Sequence, residues 1–248
     1  WRRVKQLSSA RGATLFMVLM AAWKALLARW TGQTDLVVGS VLAGRSQADL
    51  EGIIGVFINT LALRSDLSGN PAFATVLERV RRTTLEAIAN QDYPFHTWLE
   101  TLRRERRQSD YFPFSVLFVL HQRPSLVAFD GLAASYLLHH EITGERPVLG
   151  DRMPWSASAQ ALRLDAIESE DSLDLMLSGG SGCPPSATLE RLLGQLQSIL
   201  DQVTRHPEAL LEELLPGERE ERRQAFATVE LEMADVEELF GELVGETR

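Results

Sequence analysis

The side chains best suited to acid-base or metal chemistry are the adjacent histidines His139 and His140, which are followed by Glu141. Imidazole titrates near neutral pH and is a common metal ligand. A metal site built from this pair alone is disfavoured, because adjacent residues of a strand point to opposite faces. The one cysteine, Cys183, has no neighbouring base that would activate it as a nucleophile. The glycine-rich run 179–182 is not followed by the lysine of a phosphate-binding P-loop, so it predicts a flexible turn.

A second polar feature, the pair Asn59 and Thr60, interrupts an apolar run at 56–63. The β-branched and aromatic residues of that run predict a strand. Two adjacent polar residues place a polar group on each of its faces. A buried asparagine without hydrogen bonds costs about 1–3 kcal/mol. Asn59 is therefore either a structural clasp or part of a polar site.

The elements that position these residues follow from hydrophobic periodicity. The stretch 14–30 is apolar almost all round and ends at Gly32, which predicts a buried helix with a glycine C-cap. Further helices are predicted at 72–89, from Pro94 to about 107, and from 184 or 185 to 204, and strands at 35–41, 114–120, 162–167 and 173–177. This order predicts a layered α/β domain in which helices cover a mixed β-sheet.

The net charge lies entirely in the last part of the chain. From Glu208 to Arg248 there are 13 acidic and 4 basic residues, a balance of −9 that equals the net charge of the whole sequence. A neutral body with an acidic end argues against nucleic-acid binding, which needs clustered lysine and arginine. No apolar run approaches membrane-spanning length, and residues 1–5 lack the apolar core of a signal peptide. With its one cysteine, the sequence predicts a cytoplasmic protein that does not enter the membrane.

Four arginines end the helix predicted from Pro94, namely Arg103, Arg104, Arg106 and Arg107. They either bind a phosphate or a partner's acidic helix, or they form a solvated helix end that the helix dipole favours.

The segment Ile54–Arg64, I-G-V-F-I-N-T-L-A-L-R, closely resembles the I-G-x-F-V-N-T-L-x-x-R motif of condensation domains from nonribosomal peptide synthetases. Flanking stretches agree with that family in order and spacing. They are Gly32–Gly39 running to Ala43–Arg45, Asn90–Phe95 and Phe114–Leu120. The resemblance is strong over about the first 120 residues, and beyond them a closing Leu214-Leu215-Pro216 is similar to the family's ending.

The family's catalytic signature, H-H-x-x-x-D-G, is not matched by residues 139–145, which read H-H-E-I-T-G-E and follow the motifs that should come after it. We therefore interpret this histidine pair as a coincidence. The resemblance implies the C-terminal subdomain of a condensation domain, similar to chloramphenicol acetyltransferase, over residues 1–215. In the family it forms a V with an N-terminal subdomain that carries the signature, and the active-site tunnel lies between them. This chain alone is expected to be inactive.

The resemblance also implies roles for individual residues. Asn59 and Thr60 match the family's Asn-Thr pair and would line or support the tunnel. Arg45 is a candidate charge partner for the signature aspartate, which a paired arginine would hold in a bidentate manner. Arg64 either supports the tunnel or is a simple strand-end charge. Asp92 is interpreted as a structural cap for the helix at Pro94. No catalytic or metal-binding residue is expected in this chain.

The reaction implied is amide-bond formation between a carrier-bound acyl or peptidyl thioester and a carrier-bound amine. The partners implied are donor and acceptor carrier proteins, whose phosphopantetheine arms hold the substrates, and the N-terminal subdomain; no bound cofactor is expected. Two alternatives remain. One is a non-catalytic condensation-like module that recruits a carrier protein or a tailoring enzyme. The other is an acyltransferase of the same superfamily with a free amine or alcohol as acceptor.

The end of the chain is predicted to form two further segments, a charged linker at 216–228 and an acidic amphipathic tail at 229–248. In the tail, Val236, Leu239, Phe240 and Leu243 fall on one helical face. We hypothesise that this face docks a downstream synthetase protein, since an acidic amphipathic segment can fold on binding a basic groove. A disordered solubilising end and a helix packed on its own domain are the alternatives.

Overall fold

The computed structural model describes residues 1–45, 48–50, 52–109, 111–122, 162–169, 172–179 and 183–214. These ranges contain five α-helices and five β-strands. The helices are α1 (Arg2–Ala10), α2 (Leu15–Thr31), α3 (Phe73–Ala89), α4 (Phe95–Arg106) and α5 (Ser186–Arg205). The strands are β1 (Asp35–Leu42), β2 (Asn59–Asp66), β3 (Val116–Gln122), β4 (Leu162–Glu168) and β5 (Leu173–Ser178). A short 3-10 helix, Ala48–Leu50, lies between β1 and β2.

The strands form one mixed sheet in the order β2-β1-β3-β4-β5. The outer pairs β1/β2 and β4/β5 are antiparallel, whereas β1/β3 and β3/β4 are parallel. The predicted mixed sheet with covering helices is thus confirmed, and so is the hairpin predicted from the alternation in β4 and β5.

Helices cover both faces of this sheet. The larger core packs α1, α2, α3 and α5 on one face, around the fully buried side chains Trp23, Phe73 and Phe118. The smaller core lies on the other face, where Phe95 of α4 packs with Phe114 and Leu117. Adjacent residues of β3 alternate between the two cores, as expected for a strand buried on both sides.

Helix α2 forms as its sequence predicts. The Thr14 hydroxyl caps its start by accepting a hydrogen bond from the Met17 amide at 3.3 Å, and Gly32 ends it in the left-handed conformation with φ 73°. Among the described residues, no single helix is long and apolar enough to cross a membrane. Helices α1 and α2 meet that length and composition only as a pair bent by 101°.

One charged residue lies inside the larger core. The ammonium group of Lys24 in α2 donates to the carbonyl oxygen of Leu63 and to the Ser65 hydroxyl, both at 2.7 Å. Burial outweighs the attraction of Asp35 and lowers the pKa of Lys24 to about 7. Lys24 therefore joins α2 to the edge strand β2 through polar contacts within an apolar layer.

Two sequence predictions need correction. The strand predicted at 56–63 spans Asn59–Asp66 instead. Residues 56–58 belong to the preceding loop, where Arg45 donates to the carbonyl oxygen of Gly55 and contacts the Phe57 ring. Helix α1 was not predicted, because charged and polar residues surround Val4 and Leu7 in sequence, yet both side chains are buried in the larger core.

Candidate functional site

The side chain of Asn59 joins the start of β2 to the segment between α3 and α4. Its amide nitrogen donates to the carbonyl oxygens of Gln91 at 2.7 Å and Tyr93 at 2.9 Å. Its amide oxygen accepts from the backbone amides of Phe95 and Thr60, each at 3.0 Å. The sequence left two roles open for Asn59, a structural clasp and a part of a polar site. These four hydrogen bonds match the structural clasp.

The cap of α4 differs from the sequence prediction. Asp92 was expected to cap this helix, but the amide of Phe95, the first residue of α4, donates to Asn59. The cap therefore comes from a distant strand and not from the preceding turn. Asp92 instead lines a groove of about 320 Å³ together with Asn59 and His96.

Arg45 fixes the loop that leads into β2. Its guanidinium donates to the carbonyl oxygens of Leu50 and, at 3.2 Å, Gly55, and it lies 4.5 Å from the ring centroid of Phe57. Gly44 has φ 66°, and the Phe57 carbonyl approaches it so closely that a Cβ atom there would overlap the oxygen. The predicted pairing of Arg45 with the signature aspartate remains a prediction.

Arg64 forms an exposed ion pair on β2. Its Nε and Nη2 donate to the two carboxylate oxygens of Asp35 at 2.9 and 2.6 Å. These hydrogen bonds hold the pKa of Asp35 below its ordinary value. The contact supports the simpler of the two roles, a surface charge pair between the edge strand and β1.

Two of the four arginines at the end of α4 are engaged locally. Arg103 donates to the carbonyl oxygen of Tyr111 at 3.0 Å, and Arg106 lies 4.3 Å from the Tyr111 ring centroid. Arg107 ends the helix with φ 54°. These contacts favour a helix-end structural role for Arg103 and Arg106.

A charged cluster on β3 and β4 was not predicted from the sequence. Asp165 is 5% exposed and accepts from Arg163 Nε and Nη2 at 2.6 and 2.7 Å. The Nε2 atom of His121 lies 2.6 Å from its Oδ1 atom. Burial raises the pKa of Asp165, but the hydrogen bonds and positive charges of its two neighbours outweigh that effect and lower it. The alternation Arg163-x-Asp165 inside the strand predicted at 162–167 was the signal available in the sequence.

Several predicted residues lie outside the part of the chain that the structure describes. They are His139, His140 and Glu141, and the tail residues Val236, Leu239, Phe240 and Leu243. Within the described ranges, no group of three or more histidine, cysteine, aspartate or glutamate side chains is arranged to hold a metal ion.

Replacing Asn59 with alanine is expected to lower the free energy of unfolding by about 2 kcal/mol, because two backbone carbonyls and one helix amide lose their shared partner. Chemical denaturation monitored by circular dichroism measures this change. Asn59→Asp should be nearly as costly, since a carboxylate still accepts from Phe95 but cannot donate to Gln91 and Tyr93.

Asn90→Ala is the matched control. Asn90 lies on the same segment, is exposed, and donates only within its own helix end, to Glu86 at 2.8 Å. Its replacement should cost about 0.5 kcal/mol, the lower end of the range for one intramolecular hydrogen bond. Equal losses for Asn59→Ala and Asn90→Ala would contradict the clasp.

The sequence matches the family model described as "Condensation domain" over residues 2–224. It is 34% identical over 229 residues to tyrocidine synthase 3 of Brevibacillus parabrevis, a match that covers 92% of this chain and 3% of that protein. It is 35% identical over 206 residues to bacitracin synthase 3 of Bacillus licheniformis, a match that covers 82% of this chain and 3% of that protein. The chain therefore spans only a small part of these synthases.

Solved structures show the same fold. The X-domain from teicoplanin biosynthesis is similar with a TM-score of 0.67 at 23% identity, covering 87% of this chain and 47% of that one. The first condensation domain of the CDA synthetase is similar with a TM-score of 0.64 at 21% identity, covering 86% and 44%. Nearly all of this chain thus corresponds to somewhat less than half of each solved chain.

Proposed function

The chain belongs to the condensation-domain family, and from that premise we propose that it is the C-terminal half of a domain that forms peptide bonds in nonribosomal synthesis. The observation that carries the proposal is the family match over residues 2–224, together with 34% identity to tyrocidine synthase 3 over 229 residues. The coverage of 44–47% of solved condensation-type chains supports the assignment to one half.

The proposed reaction is an acyl transfer between two carrier proteins. The amine nitrogen of the acceptor attacks the carbonyl carbon of the donor thioester, a carbon–nitrogen bond forms, and the carbon–sulfur bond breaks. The proton lost by the amine ends on the released phosphopantetheine thiol, so the step needs no oxidant or reductant. A domain accelerates it chiefly by holding the amine close to the carbonyl and by excluding water.

In this proposal the chain supplies one wall of the site and the proton acceptor lies on the other half. Asn59 supports the wall, because its four hydrogen bonds fix β2 relative to the start of α4. Arg45 holds the loop beside it through the carbonyls of Leu50 and Gly55. Both residues are thus positioning residues.

The test is amide formation by the natural polypeptide that carries this chain, with both carriers loaded and the product read by intact-protein mass spectrometry. Asn59→Ala should reduce turnover at least tenfold, because a small displacement of a positioning segment is costly. Asn90→Ala should leave turnover within about twofold, since it breaks only an exposed bond within a helix end. Absence of product from the unsubstituted polypeptide would contradict the proposal.

A second candidate is a module that recruits another protein. It is favoured by the similarity to an X-domain whose solved complex contains OxyB, with a TM-score of 0.63 at 22% identity. That candidate predicts binding of a partner enzyme without amide formation, which the same assay distinguishes.

A further inference from the structure

The contact between His121 and Asp165 is a histidine–carboxylate dyad on a chain whose sequence predicted no catalytic residue. The Nε2 atom of His121 lies 2.6 Å from Asp165 Oδ1, and Arg163 donates two hydrogen bonds to the same carboxylate. Neither residue of the dyad takes part in the hydrogen bonds of Asn59 or Arg45. A hydrogen bond at one ring nitrogen fixes the orientation of an imidazole and determines what the other nitrogen can do.

The ionisation of Asp165 determines which ring nitrogen of His121 carries the proton. Burial raises the pKa of Asp165, but its hydrogen bonds to His121 and Arg163 outweigh burial and lower it, so the carboxyl is ionised at neutral pH. An ionised carboxylate only accepts, so Nε2 must donate, and in the neutral ring the lone pair lies on Nδ1. Nδ1 makes no hydrogen bond to any residue that the structure describes, and the side chain is 28% exposed.

The dyad lies on the face of the sheet that also carries α4. Leu117 and Val119 of β3 belong to the smaller core on that face, and side chains alternate along a strand, so His121 points to the same side. On β4, Leu164 packs into the larger core on the opposite face, which places Asp165 beside His121. The four helices of the larger core therefore do not cover the dyad.

The dyad also lies at the same edge of the sheet as the Asn59 clasp. Strands β1 and β3 are parallel, with Ser40 opposite Phe118, so their carboxyl ends meet at one edge. Leu42 at the end of β1 is paired with Asn59 at the start of β2. His121 is thus two strands from Asn59, at the edge where this chain supplies its wall of the site in the proposed function.

The lone pair on Nδ1 determines which part of the substrates this dyad can hold. A lone pair needs a hydrogen-bond donor. The donor thioester group offers only acceptors, whereas the neutral amine of the acceptor carries N–H donors. The charge of Arg163 offsets that of Asp165, so the pair behind the ring does not attract a cation. This matters because a protonated amine has no lone pair and cannot attack the thioester.

We propose that His121 accepts a hydrogen bond from the acceptor amine at Nδ1 and turns the amine lone pair toward the thioester carbonyl. The inference rests on the proposed function, because it takes the ligand to be the amine of that reaction. No bond to His121 forms or breaks, and the proton is taken by the group on the other half. His121 touches the substrate, and Asp165 and Arg163 are positioning residues that hold its ring.

The test is the kinetics of amide formation by the natural polypeptide that carries this chain, with the concentration of the loaded acceptor carrier varied. His121→Phe removes both ring nitrogens and should lower kcat about tenfold or more, since a misaligned nucleophile is costly. His121→Gln keeps an N–H for Asp165 and an oxygen acceptor, so its kcat should stay within about threefold. The acceptor KM should change less than kcat, because the carrier and its arm supply most of the binding.

The state of the ring can be measured without turnover. Nitrogen-15 NMR of this chain with labelled histidine, at about pH 8 where imidazoles are largely neutral, reports which ring nitrogen is protonated. The signals of His121 are identified by their loss in His121→Gln. We expect the proton on Nε2 and none on Nδ1. A proton on Nδ1, alone or together with Nε2, would overturn the proposal.

His206→Gln is the matched control, because His206 is an exposed histidine that follows the last residue of α5, on the other face of the sheet. Its kcat should stay within about twofold, as for most surface substitutions. The inference alone fails if His121→Phe turns over like the unsubstituted polypeptide, if His206→Gln loses as much, or if the Phe and Gln variants of His121 lose equally. Absence of product from the unsubstituted polypeptide would contradict the proposed function, and this inference with it.

Discussion

Replacing Asp165 with asparagine is expected to lower the free energy of unfolding by about 3–5 kcal/mol, the cost of removing one partner from a buried ionic cluster. Asp165 accepts two hydrogen bonds from Arg163 and lies 2.6 Å from His121. An asparagine side chain has one acceptor oxygen and would turn its NH2 group toward donors. The guanidinium would then lose its counter-charge in a largely buried position. Urea denaturation at pH 7 measures the change.

Asp35→Asn is the matched control, because Asp35 forms the same bidentate contact with an arginine at the surface. The side chains of that pair are 73% and 53% exposed, so water screens their attraction and its loss should cost far less than the loss of Asp165. Folding lowers the pKa of Asp165 below 3.8, so the Asp165 carboxylate stabilises the folded chain at pH values above 3.8. This stabilisation is lost as the pH falls through the pKa that Asp165 has in the folded chain. Equal costs for the two substitutions would contradict the buried cluster.

The second large effect concerns Lys24 and depends on pH. Its pKa falls from 10.5 to about 7 on folding, so the unfolded chain binds the proton more tightly. Burial of the charged Lys24 side chain therefore destabilises the folded chain fully below about pH 7, and this destabilisation disappears as the pH rises toward 10.5. We therefore expect the stability of the unsubstituted chain relative to Lys24→Met to be constant below pH 7. Above it, the difference should rise by about 1.4 kcal/mol per pH unit.

Denaturation of both proteins at several pH values between 6 and about 10 measures this slope, in steps of about one unit. Lys5→Met is the control, because Lys5 is a surface residue that pairs with Glu168 at 3.0 Å. Its stability difference should vary much less over the same range. A Lys24→Met difference that does not change with pH would show that Lys24 is not desolvated in the folded chain.

Hydrophobic periodicity predicted the elements in which the local conformational preference agrees with the packing of the folded chain. Helix α2 is buried all round and ends at Gly32, as its apolar run indicated. Strand β2 was placed three residues early, because Val56, Phe57 and Ile58 favour a strand intrinsically. Arg45 instead donates to the carbonyl oxygen of Gly55 and contacts the Phe57 ring, and these contacts cannot be read from a local window.

The local sequence was likewise insufficient to predict the contacts of the candidate site. The sequence showed that a buried Asn59 needs hydrogen bonds, but three of its four partners lie 32 to 36 residues further along the chain and depend on how α3 and α4 are placed. Asp92 was predicted as the cap because it is close in sequence to α4. The cluster of His121 and Asp165 depends on the register between β3 and β4, which pairs Val119 with Asp165. Pairing over such distances is decided by the assembled sheet.

The most direct measurement of the central claim is a single-turnover assay of amide formation between two loaded carriers, with this chain and its N-terminal half added separately and together. We predict a carrier-bound amide product only when both halves are present, and none with either half alone. Product formation by this chain alone, or no product from two halves that bind each other, would contradict the assignment of this chain to one half of a peptide-bond-forming domain.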